Sequence, residues 1–146
     1  MRMVVTPTPL HVRLAALVYD LFPLIGLWMA TAALALLVVH GDVDAAHPPA
    51  VFRHGLRAAL LVVTCAYFAL SWTRGGQTIG MRAWRLRLVD EHGGAVRGSQ
   101  ALLRFAVALL SLAAAGIGFF WSLVDHDRRT WHDIASGTTL VRLPKP

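Results

Sequence analysis

Charge is scarce in this chain. Only 15% of its 146 residues are charged, against about 25% in an ordinary soluble domain, and 56% are hydrophobic. Cysteine is scarcer still. Cys65 stands alone inside an apolar block, which excludes an intrachain disulfide and leaves the thiol as a small packing residue. None of Ser71, Ser99, Ser111, Ser122 and Ser136 has a base beside it, so no nucleophile–base constellation exists and no enzyme is expected. Gly75 to Gly80 has the glycine spacing of a phosphate loop, but Met81-Arg82 stands where Lys-Ser/Thr is required, so no nucleotide cofactor is expected. His126 and His132 lie near Asp125, Asp127 and Asp133 at spacings that fit no standard metal site, and no metal is expected. Nucleic-acid motifs are absent. A cleavable secretory leader is not expected either. Only Arg2 and Arg13 precede the first apolar run, which is too long for a signal core, and no small-x-small cleavage site follows it.

What is present is apolar sequence in long blocks. Leu14 to Val39 exceeds the roughly 20 residues a span needs, so it must tilt or kink. Pro23 supplies a kink and frees the Tyr19 carbonyl. Met1 to Pro9 is expected to be irregular, with Pro9 opening the helix. His40 to Gly55 reads as a loop holding Asp42, Asp44, Pro48 and Pro49, with Arg53 its fixed positive charge. Leu56 to Trp72 is a second span, with Trp72 an interfacial anchor at its exit.

Thr73 to Arg104 is the polar middle. It carries Arg74, Arg82, Arg85, Arg87, Arg97 and Arg104, all read as cytoplasmic residues facing lipid headgroups. The net charge of +6 comes almost wholly from arginine, and its natural partner in so apolar a chain is an anionic lipid surface. The excess over Arg53 places this segment and the N-terminus in the cytoplasm, with the first loop outside. Trp84 to Asp90 alternates apolar and basic, as a half-buried strand does. Glu91 to Gly94 and Ala95 to Arg97 after it suggest a hairpin, and Thr138 to Leu143 is a second strand that would pair with Arg85 to Val89. Such pairing requires one side of the membrane. Phe105 to Val124, a third apolar block with Gly116 and Gly118 near its middle, is therefore favoured as a re-entrant helix bending near Ala114 to Gly118, with a straight span as the alternative. The fold class is an all-α integral membrane protein with two clear transmembrane helices, this third block and a small cytoplasmic β-structure. It forms one domain.

One charge lies inside an apolar run. Asp20 sits two helical turns, about 10 Å, beyond Arg13 on nearly the same helix face. A carboxylate in a bilayer costs on the order of 2.5–3.5 kcal/mol unless it is paired or wetted. The pair can be a polar network locking helices together or an ion or proton site. Asp125, Arg128 and Arg129 read equally as a local ion-pair set at a helix end, with Trp121 and Trp131 as interface anchors.

Four pieces stand in order: R-L-A-A-L-V-Y-D from Arg13, G-G-Q-T-I-G-M-R from Gly75, R-L-V-D-E-H-G-G with S-Q-A-L-L-R-F from Arg87, and G-F-F-W-S-L-V-D-H-D-R-R-T-W-H-D-I-A-S-G-T-T-L-V-R from Gly118. Together, over about Leu10 to Arg142, they resemble the RDD family of bacterial membrane proteins, named for one Arg and two Asp. The resemblance implies that Arg13 and Asp20 are the first two of these positions. It maps the third best to Asp133, with Asp125 as the alternative. A member has been linked to cation/proton antiport, and transport of unspecified ligands has been suggested. Two functions follow as expectations: transport-related cation/proton exchange by a homo-oligomer, or a non-catalytic membrane-embedded module that docks on headgroups or on a partner membrane protein.

Overall fold

The computed structural model describes residues 8–39, 43–44 and 46–144. Most of the expected irregular start (residues 1–7), together with Asp42, lies outside them. Helix α1 spans Leu10–Val38, and Pro9 is its N-cap. It runs without interruption through Pro23. Its buried residues Val12, Arg13, Ala16, Asp20 and Leu24 recur at helical spacing, so one narrow face packs while the rest is exposed hydrocarbon. Helix α2 spans Ala50–Gly75 and begins earlier than the hydropathy suggests, because Pro49 caps it and Arg53 and Arg57 are carried on its first turns. Both helices are long and apolar enough to cross a membrane.

Past α2 the chain turns at Gly76 into the short helix α3, Ile79–Ala83, and then strand β1, Leu86–Asp90. Helix α4 spans Gly98–Ala113. A break follows at Ala114 to Gly116, where Ala115 and Gly116 both take positive φ (55° and 78°). Helix α5, Ile117–Phe120, and the 3-10 turn Trp121–Leu123 then leave α4 at 107°. A left-handed residue commonly ends a helix, and here two in a row turn the chain from α4 into α5. Helix α6, Trp131–Ser136, leads through Gly137 into strand β2, Thr138–Arg142.

The two strands form an antiparallel sheet in which Leu86 faces Arg142 and Asp90 faces Thr138. This is the pairing anticipated between the middle segment and the tail. The nearby hairpin is not formed. Asp90 accepts from the amides of His92 and Gly94 through Oδ1 (3.0 and 2.6 Å), closing a turn, and Ala95 to Arg97 continues without strand structure. The sheet also fixes one end of the bundle. Thr8, just before α1, donates to the Leu140 carbonyl (2.9 Å), and Gly76, at the end of α2, accepts from the Leu88 amide (2.7 Å). The start of α1, the end of α2 and both strands are therefore together. The bent segment α4–α5 leaves that end and comes back to it.

The core lies where these parts meet. Val12, Ala16, Trp72, Met81, Leu86, Leu88, Val96, Ala101, Phe105 and Leu140 form one buried cluster. Trp72 belongs to it, only 6% exposed, and is not an interfacial anchor. Arg104 is likewise not a headgroup-facing arginine. It is 3% exposed, because it occupies the buried stripe Ala101–Arg104–Phe105 of α4 and stacks over the Trp72 ring at 5.3 Å. Arg74, Arg82, Arg85, Arg87 and Arg97 are exposed.

Candidate functional site: two carboxylate clusters

Arg13 and Asp20 do not pair with each other. Two turns apart on α1, each anchors a separate cluster.

Asp20 is 1% exposed and takes three donors. Its Oδ1 accepts from the Tyr67 hydroxyl (2.7 Å) and the Gly80 amide (2.8 Å), and its Oδ2 from the Thr78 hydroxyl (2.6 Å). Thr78 is the N-cap of α3, its Oγ1 also accepting from the Met81 amide (3.2 Å). The carboxylate thus binds the open amide end of α3, where backbone donors lack helical partners. Such close docking needs glycine at position 80. A Cβ there would overlap the Ala16 carbonyl oxygen and lie 2.9 Å from the Asp20 carboxyl carbon. A hydrogen bond to a charged group contributes about 1.5–3 kcal/mol, so three of them more than offset the cost of carrying this carboxylate among lipid-facing helices. The need for a partner that the sequence raises is met by Tyr67, Thr78 and Gly80, not by Arg13 or Asp133.

Asp133, 2% exposed, lies on α6 between two arginines. Arg13 Nη1 donates to its Oδ2 (2.6 Å) and Arg104 Nη1 to its Oδ1 (2.5 Å). The Thr130 amide adds a third donor (3.0 Å), and Thr130 Oγ1 accepts from the Asp133 amide (3.4 Å), a reciprocal cap of α6. The arginines are held in turn. Arg13 Nε donates to the Thr8 carbonyl and Nη2 to the Arg128 carbonyl (3.2 Å each), and Arg104 Nη1 donates to Thr138 Oγ1 (2.8 Å). Burial raises the Asp133 carboxyl, but Arg104, Arg13, the neighbouring His132 and the Thr130 amide outweigh it and hold the group well below the usual carboxylate range. Burial, with Arg104 beside it, pushes His132 down to about 3, so the imidazole is neutral at ordinary pH.

Asp125 is elsewhere. It accepts from the amide and Nε of Arg129 (2.9 and 3.2 Å) and closes a local turn, and that pairing lowers its carboxyl. Arg129 also meets Asp127 at 3.4 Å, while Arg128 contributes its carbonyl to Arg13. Among the described residues no three His, Cys, Asp or Glu side chains converge as a metal site would require. Sequence reasoning passed over Tyr67, and it took Arg104 for a headgroup arginine. Arg104 was detectable, since it falls on the apolar stripe of α4. Thr130-x-x-Asp133 was detectable as a capping pattern.

Three segments distant in sequence therefore converge on one buried carboxylate, and a second carboxylate pins the turn after α2 onto α1. Comparison with curated proteins and with solved structures gives no match for this chain. The RDD family description does match, over residues 7–137. That range includes Arg13, Asp20, Arg104 and Asp133, and the chain belongs to the RDD family.

Proposed function

We propose that this chain is a non-catalytic module of a bacterial inner membrane that docks other membrane components. Its sheet end and the start of α1 lie in the cytoplasm, and its bent segment α4–α5 re-enters from that side. What carries this reading is the saturation of both buried carboxylates: Asp20 has three fixed donors and Asp133 has two guanidinium groups and an amide. Groups so fully occupied hold a scaffold rigid and have little capacity to exchange a cation. The exposed arginines Arg74, Arg82, Arg85, Arg87 and Arg97 gather at the sheet end, where each contributes about 1 kcal/mol of attraction to anionic headgroups. Large side chains such as Leu36, Leu61 and Leu110 face outward from the helices, towards lipid, a second copy or a partner membrane protein.

Orientation is tested by labelling in a Cys65→Ala background. A cysteine at exposed Ala46 is expected to react with a membrane-impermeant maleimide in intact spheroplasts, and one at Ser99 only after lysis. Reaction at Ser99 in intact spheroplasts overturns the orientation.

Cation/proton exchange is the second reading, favoured by Asp20 lining a cavity of about 200 Å³ together with Arg13. It needs a homo-oligomer, because two or three spans rarely enclose an aqueous route. Proteoliposomes separate the two. The docking reading expects no cation-driven proton flux from the wild type, and photo-crosslinks from Leu36 or Leu61 to discrete protein bands. Flux in the wild type that Asp20→Asn abolishes favours exchange instead.

A further inference from the structure

The arginines at the sheet end are not spread evenly. Arg74, on the last turn of α2, and Arg82, on α3, line one recess of about 330 Å³ between the two helices. Arg82 reaches back over α2: a Cβ at Gly75 would lie 3.7 Å from its Nη2. The recess therefore holds two guanidinium groups, with the Ser71 side chain beside them. No carboxylate lines it, and each ion pair among the described residues lies elsewhere. Asp20 stands behind it, screened by Tyr67 and with its oxygens already engaged. The carbonyl end of α2 attracts a cation, which accounts for one arginine at this place but not for two. Two like charges side by side repel, and an anion between them removes that cost.

We propose that this recess binds the phosphodiester of one anionic phospholipid, between Arg74 and Arg82, with an acyl chain running along α2. Two observations select a lipid over a free phosphate. Leu70 and Ile79, both exposed, form an apolar rim to the recess. Leu70 also stands one turn from Arg74 on a face of α2 that continues through exposed Ala66 and Val62, about 18 Å from the arginine. Charge and hydrocarbon thus follow the order they have in a bilayer leaflet. The lining of the recess selects the headgroup. An ethanolamine or choline cation would meet two guanidinium groups and no counter-charge, whereas an uncharged polyol such as glycerol meets no repulsion. Guanidinium groups bind phosphate through parallel N–H donors, so the arginines supply geometry as well as charge. The proposal deepens the docking reading and rests on it: one part of the headgroup-facing surface becomes a site for a single lipid.

The test uses the full chain, delipidated in detergent and titrated by native mass spectrometry with dioleoylphosphatidylglycerol, dioleoylphosphatidylethanolamine and glycerol 3-phosphate. One phosphatidylglycerol per chain is expected to bind first, at least tenfold more tightly than phosphatidylethanolamine, with no glycerol 3-phosphate adduct at the same concentration. Arg74→Gln and Arg82→Gln should each weaken that lipid at least tenfold, because each removes a charge-assisted contact. Both side chains are exposed, so neither variant should unfold the chain. Arg97→Gln removes the same charge from an exposed position outside the recess and should change binding by less than about twofold. Equal losses at Arg74, Arg82 and Arg97 overturn the site and leave diffuse attraction, and with it the docking reading, intact. Equal affinity for the two lipids, or a glycerol 3-phosphate adduct as stable as the lipid's, overturns the lipid assignment. A wild type that binds neither lipid overturns both the site and the docking of headgroups.

Discussion

Asp133→Asn is expected to cost about 3–5 kcal/mol of stability, the range for removing one partner of a buried ion pair. The substitution keeps the shape of the side chain and removes the one carboxylate that faces both Arg13 and Arg104. Two guanidinium groups are then left facing each other in a closed space. The loss should be partly reversed by adding Arg104→Met, because the double variant buries one charge fewer. A cycle of the two single variants and the double should therefore be far from additive. Unfolding in mixed micelles by SDS, followed by tryptophan fluorescence, measures each corner. A loss below 1 kcal/mol, or additive corners, would sink the claim that the three residues act as one unit. The pH dependence has a definite sign. A carboxyl held below its unfolded value, here ordinarily 3.8, contributes stability that is fully present above that value and is lost as pH falls through the lower, folded one. The gap between wild type and Asp133→Asn should be constant from about pH 5 to 8 and should narrow only in strong acid.

Gly80→Ala should be nearly as damaging, at about 3 kcal/mol, the upper part of the range for overpacking. The added methyl meets backbone, the Ala16 carbonyl, and not the movable tip of a side chain. Helix α3 must lift from α1, and the Gly80 amide and Thr78 hydroxyl then withdraw from Asp20. Ala16→Gly offers a sharp control. It removes a side chain but leaves the obstructing carbonyl where it was, so it should not rescue Gly80→Ala. Rescue, or a cost under about 0.5 kcal/mol for Gly80→Ala alone, would show that α3 is not docked as closely as described. The same SDS titration reads both.

Much of the architecture was legible because it follows from local pattern. Hydropathy marks α1 and α2, and the alternation of Leu86, Arg87 and Leu88 marks a strand with one face inward. Gly116 and Gly118 mark the bend. The pairing of β1 with β2 could be anticipated because both runs read as strands and Thr138 to Leu143 has its natural partner in Arg85 to Val89. The clusters were less legible. Arg13 and Asp20 invite pairing because they share a helix face, but a long arginine side chain near a helix start can reach another element altogether. Which element it reaches is decided by tertiary packing. Arg104 shows the same limit from the other side. Counted as a charge it joins the headgroup arginines, but placed on its helical wheel it falls between Ala101 and Phe105, on the stripe that is buried. The hairpin failed for a local reason: Asp90 folds the chain back through its own side chain, which spends the residues after it on a turn.

The clasp on Asp133 also sets an order of events in synthesis. Arg13 is 120 positions ahead of its carboxylate. At about 5–20 residues per second, it waits roughly 6–24 s at the ribosome before that carboxylate is made. Over this interval the first two helices are inserted, Arg104 emerges, and neither arginine has its counter-charge. A nascent chain stalled or truncated before α6 therefore carries two guanidinium groups without the carboxylate that pairs them in the folded protein.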